Sequence, residues 1–164
     1  MSIELLAEEL AGLEREGLAF MRSHQLSQAE EVFTRAAKRI PDFEDEDGDC
    51  SAALAPLASS ILCYRSEVYL ALRKFVAALA AAQSAESIDQ TCWKAPWQQG
   101  LALMGLEPRI ERSQMAVQAF ERCLASSTLP KEHIEQVKQA ISCAKQRLEH
   151  GRDAVDLPDN CVIS

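Results

Sequence analysis

The chain has 164 residues, 17 Lys and Arg against 25 Asp and Glu, a formal net charge of −8, and 48% hydrophobic residues. That hydrophobic fraction excludes a disordered chain, the length suits one domain with a sizeable core, and the acidic balance excludes the basic stripe of a nucleic-acid protein. Gly and Pro are scarce at six each while Ala, Leu, Glu, Gln and Arg dominate, which points to an all-α fold.

Taken in chain order, Leu6, Leu10, Leu13 and Phe20 recur at helical spacing and predict a first helix. Ala29, Val32, Phe33, Ala36 and Ala37 predict a second, with Ser27 and Glu30 placed as a capping box and Pro41 as its stop. Residues 42–49, DFEDEDGD, hold six acids and no base, leaving −2 of the −8 for the rest of the chain. A calcium loop is a poor fit, since setting Gly48 at the invariant glycine puts Phe43 and Leu54 at ligand positions; a solvated insertion is the better reading. A second helical pair is expected over Ala55–Leu72 and Lys74–Ile88, and a third over Lys94–Met104 and Ser113–Ala125. Pro130 suits the first turn of a last helix running to His150, with Gly151 as its stop. Residues 152–164 lack periodicity and read as a flexible tail.

The sequence offers little for catalysis. His24, His133 and His150 are isolated, there is no phosphate loop or nucleophile elbow, and no metal or other cofactor is implied. An enzyme is not expected. Cys50, Cys63, Cys92, Cys123, Cys143 and Cys161 form no CxxC pair and read as reduced thiols of a cytoplasmic protein.

The helical pairs repeat. Leu13, Gly17, Phe20, Ala29, Phe33, Ala36 and Pro41 of the first pair are matched by Leu62, Ser66, Tyr69, Ala78 and Ala85 of the second, and by Gly100, Leu103, Ala116 and Phe120 of the third. Ser66 lies 34 residues before Gly100, whereas the first interval holds about 15 more residues and LEPRIERS about four more in its turn. This pattern resembles the tetratricopeptide repeat (TPR), in which two antiparallel helices form each unit and the units stack. The resemblance implies three hairpins (about 10–43, 59–92 and 93–129), an acidic insertion at 42–56 and a capping helix at 130–150. Together these make a domain over 1–151 of about seven helices in a right-handed superhelical stack. Gly17 and Ala29 would be small because the paired helices cross closely, with Phe20 and Phe33 filling space on either side.

Such stacks commonly hold a peptide in a concave groove lined by the first helix of each pair. The resemblance places Glu14, Leu18, Met21, Arg22, Tyr64, Glu67, Leu70, Lys94, Trp97, Gln98 and Leu101 there. The chain is similar in size and end helix to small co-chaperone domains that clamp the acidic tails of heat-shock chaperones. Their cation and Asn positions fall on Glu14, Leu18, Tyr64, Lys94 and Gln98, so most of the clamp is lacking and Glu14 would repel a carboxylate. A monomeric adaptor binding an apolar or amphipathic protein segment is therefore the first expectation. Recognition of chaperone tails through Lys94 and Arg22 is the alternative, and a structural subunit of a complex is the second. Finally, Cys161-Val162-Ile163-Ser164 matches the C-a-a-X box, which implies a farnesyl group on Cys161 and peripheral membrane association.

Overall fold

A computed structural model describes residues 2–40 and 48–150, with side chains from 52 onward in the second stretch. Among the described residues there are seven α-helices and no strand: α1 (Ile3–Arg22), α2 (Leu26–Ala37), α3 (Gly48–Ala71), α4 (Phe75–Ile88), α5 (Lys94–Gly105), α6 (Ile110–Ala125) and α7 (Ile134–His150). A 3₁₀ turn, Lys131–His133, leads into α7 after Pro130. Each helix packs against the next, and α1 also meets α3 while α3 meets α5. The first helices of the three hairpins, α1, α3 and α5, thus form one continuous layer. No described helix is long and apolar enough to cross a membrane.

The first two hairpins turn in the same way, 49 residues apart. His24 and Arg73 both adopt positive φ, 57° and 59°. The amides of Gln25 and Lys74 donate to the carbonyls of Phe20 and Tyr69 at 2.9 and 2.8 Å, and those of His24 and Arg73 to Met21 and Leu70 at 3.0 Å. This pair of bonds satisfies the carbonyls a helix end would otherwise leave without partners. The third turn differs, because Leu106 caps α5 in an extended conformation and Arg109 precedes α6 in another.

At each hairpin the two helices cross at a small residue. A Cβ added at Gly17 would run into the ring of Phe33, and one added at Gly100 into the ring of Phe120. Both rings are fully buried. The phenylalanine therefore lies directly over the glycine rather than to one side of it, as the repeat pattern suggested. The middle hairpin uses other chemistry: buried Ser66 donates its hydroxyl to the carbonyl of Ala78 at 2.8 Å, and Ala78, Ala82 and Ala85 are fully buried. At the far end Val137, Ala140, Cys143 and Ala144 of α7 cover α6, and Arg147 donates to the carbonyl of Met104 at 2.7 Å.

Three boundaries depart from the sequence reading. The capping box at Ser27 and Glu30 does not form; Gln25 precedes α2 and makes no side-chain cap. Helix α3 begins at Gly48, so the 42–56 insertion is partly helical and Pro56 lies inside the helix. Proline deprives the helix of one hydrogen bond, but extending it buries Leu54 (4% exposed) against Leu10 and Phe33, an apolar gain of about 1.5–3 kcal/mol. The four extra residues of the third hairpin mostly lengthen α6 by Ile110–Arg112, and the turn itself gains one residue. Residues 41–47 of the acidic tract and the tail from 151, including Cys161, lie outside the described residues.

Candidate interaction surface

The α1–α3–α5 layer gathers a group of half-buried polar and aromatic side chains. Ser60 on α3 donates to Glu14 Oε1 on α1 at 2.6 Å. One turn further along α3, on the same face, Tyr64 stacks on Phe33 with ring centroids 5.9 Å apart. The Lys94 ammonium at the start of α5 stands over the outer part of this pair, 5.0 Å from the Tyr64 centroid, in cation–π geometry. Glu67, three residues beyond Tyr64, completes the group. Burial pushes its carboxyl above the ordinary glutamate range, and the Lys94 charge pulls part of the way back. Glu14, Ser60, Tyr64, Glu67 and Lys94 all remain partly accessible.

The other residues assigned to the groove divide into two sets. Leu18 and Met21 are half-buried against the core of the first hairpin, and Arg22 is exposed at the end of α1. Leu70 is half-buried among the core of hairpins two and three. Trp97, Gln98 and Leu101 are buried, at 7%, 3% and 7% exposed, which corrects their expected place as open lining. Trp97 packs on Phe120 with centroids 5.3 Å apart, so the residue expected to anchor a ligand holds α5 to α6. The physical reason is that α5 is buried along most of its length, from Ala95 to Met104, with no polar stripe to turn outward. Gln98 and Gln99 are the polar exceptions. Gln98 lies one turn from Lys94, and its buried Oε1 accepts no hydrogen bond among the described residues.

Two features escaped the sequence reading. Ser60 was legible only as the residue one turn before Tyr64 on the same helical face. His133, read as isolated on a polar face, stacks on Trp93 at 5.0 Å and ties the 3₁₀ turn to the start of α5. Elsewhere, Arg122 on α6 joins Glu86 on α4 at 3.0 Å and Gln99 on α5 at 3.0 Å. Burial raises the Glu86 carboxyl, but the hydrogen bonds from Arg122 and Gln99 outweigh it and hold the group below its usual range.

No protein-family model and no curated protein matches the sequence. Among solved structures, the C-terminal TPR-containing domain of a Plasmodium falciparum FK506-binding protein superposes with a TM-score of 0.75 at 14% identity, covering 93% of this chain and 96% of that one. The fold is that of a TPR domain. At this identity the likeness concerns the backbone, and the helical-repeat architecture inferred from Gly17, Ser66 and Gly100 is shown by it.

Proposed function

We propose that this TPR-fold chain is a non-catalytic interaction module that binds a segment of another protein along the α1–α3–α5 layer. The observation that carries this reading is the accessible cluster of Glu14, Ser60, Tyr64, Glu67 and Lys94, drawn from three successive helices. Tyr64 and Lys94 offer an aromatic face and a cation, while Glu14 and Glu67 disfavour an acidic ligand and suit an amphipathic segment with basic residues. Trp97 and Leu101 act as support beneath the surface.

The experiment is affinity capture from a eukaryotic lysate on wild type, Tyr64→Ala and Glu14→Lys, with melting curves as a folding control. A captured protein whose binding falls about tenfold or more with Tyr64→Ala supports the surface. Equal capture by folded wild type and both variants removes it. Titration with the acidic tail peptide of a heat-shock chaperone separates the co-chaperone alternative, since this reading expects no saturable binding.

The finer reading adds a farnesyl group at Cys161, cytoplasmic residence and peripheral membrane association. The CVIS motif supports the lipid and the scattered cysteines the compartment; one lipid gives only marginal membrane binding, so a bound partner would supply the second attachment. Intact mass from a eukaryotic host tests it: farnesyl addition with loss of Val162–Ser164 is expected, and an unmodified mass rejects it.

A further inference from the structure

Cys63 and Cys92 are 29 residues apart and belong to no recognisable motif, yet their sulfurs lie 3.6 Å from each other. Cys63 sits on α3 and is 2% exposed, whereas Cys92, in the segment between α4 and α5, is half-buried. The two thiols differ in environment as well as in access. Cys92 stands just ahead of α5, where backbone amides and the helix dipole favour an anion. The Cys63 S–H donates toward it, and with the amides of Ala95 and Lys94 it brings the Cys92 thiol down to about 6 despite the opposing effect of burial. Cys63 is displaced strongly upward, by that same hydrogen bond, by burial and by the neighbouring Cys92 charge; Lys94 and Glu67 are the other charges that act on it. Cys123 on α6 feels the same thiolate and is pushed up to about 12, chiefly by burial. One partly accessible thiolate with one buried thiol in contact is the arrangement of an attacking and a resolving cysteine.

We propose that Cys92 is a peroxide-reactive thiol, and that Cys63 resolves its oxidised form into a disulfide joining α3 to the segment ahead of α5. The oxidant is hydrogen peroxide or an organic hydroperoxide. In the first step the Cys92 sulfur donates an electron pair to one peroxide oxygen, the O–O bond breaks, and hydroxide or alkoxide leaves. The sulfur becomes a sulfenic acid, oxidised by two electrons, as the peroxide is reduced. In the second step the Cys63 sulfur attacks the Cys92 sulfur, the S–O bond breaks, and the departing hydroxyl takes the Cys63 proton to leave as water. A disulfide needs the sulfurs to approach by about 1.5 Å, a shift within reach of side-chain rotation. The bond would lie beside the Tyr64–Lys94 contact, one residue from Tyr64 and two from Lys94.

The test uses the full chain with Cys50→Ser, because Cys50 and Cys63 share one tryptic fragment. After hydrogen peroxide treatment and non-reducing digestion, fragments 40–65 and 75–94 should appear covalently joined, with loss of two hydrogens. In Cys63→Ala the join should vanish and dimedone labelling of Cys92 should rise. A second measurement keeps the idea testable if that variant fails to fold: at pH 6, Cys92 of the unmutated chain should react with iodoacetamide about tenfold faster than a short cysteine peptide. A Cys92 that stays reduced, pairs with another cysteine or a second molecule, or alkylates no faster than the peptide overturns the proposal.

Discussion

The outer hairpins and the middle one solve the same packing problem differently. In hairpins one and three a glycine removes its side chain so that a buried phenylalanine from the partner helix can rest on the backbone. In hairpin two the glycine becomes Ser66 and the phenylalanine becomes Ala82, and the helices are held by a buried hydroxyl and an alanine face. The aromatic volume is instead supplied by Phe75, at the start of α4, which rests on Gly105 at the end of α5. The repeat therefore conserves the closeness of the crossing rather than the side chains that make it, and the middle unit spends its aromatic residue on its neighbour.

Breaking the comparison should give its largest effect at the rings. Phe33→Ala or Phe120→Ala leaves a cavity over a glycine that cannot fill it, and each should cost about 3–5 kcal/mol in urea unfolding. Ser66→Ala removes only one hydroxyl whose acceptor already lies within a helix, so a loss of about 0.5–1.5 kcal/mol is expected. A loss at Ser66 equal to that at Phe33 would show that the hydroxyl, not the alanine face, holds hairpin two.

The comparison sharpens if hairpin two is rebuilt on the plan of the others. Ala82→Phe alone should overpack the crossing by about 1–3 kcal/mol, and adding Ser66→Gly should recover part of that loss. Strict additivity in the double-mutant cycle would mean that Ser66 and Ala82 do not face each other as Gly17 and Phe33 do.

The turns offer a smaller contrast. His24→Gly should stabilise by about 1 kcal/mol, because a residue with a Cβ is held at positive φ there. Arg73→Gly should gain less, since Arg73 also stands over the Phe75 ring at 5.4 Å. Leu106→Gly, at an extended position of the third turn, should gain nothing.

The smallest effect concerns the first hairpin's exposed link, in which Arg39 grips Glu9 with two bonds of 2.9 and 2.7 Å. The hydrogen bond from Arg39 lowers the Glu9 carboxyl below its ordinary range, against slight desolvation. A carboxyl depressed on folding stabilises above its unfolded pKa and loses that stability as pH falls through its folded value. The melting-temperature difference between wild type and Glu9→Gln should therefore be small at neutral pH and disappear as the solution is acidified below the glutamate range. A difference that persists in acid would exclude the ion pair as its source.

The candidate surface was only partly legible. Tyr64, Glu67 and Lys94 were assigned from their repeat positions, and they do form one accessible group. Trp97 and Leu101 were assigned by the same rule and are buried, because a repeat position fixes the direction of a side chain but not how deeply its helix sits among neighbours. The Cys63–Cys92 contact left no local trace at all, since its partners lie 29 residues apart towards opposite ends of the second repeat and no short spacing marks them.

What the sequence by itself determined is the periodic part: seven helical segments, their pairing, and the small residues at each crossing. Helical spacing and backbone sterics act between near neighbours in the chain, so they leave a pattern that can be read. Tertiary structure alone decided that α3 runs back through Pro56 to bury Leu54, that α5 is enclosed, and which thiols and charges meet. Those outcomes depend on contacts between distant segments, whose burial outweighs the local preferences that the sequence displays.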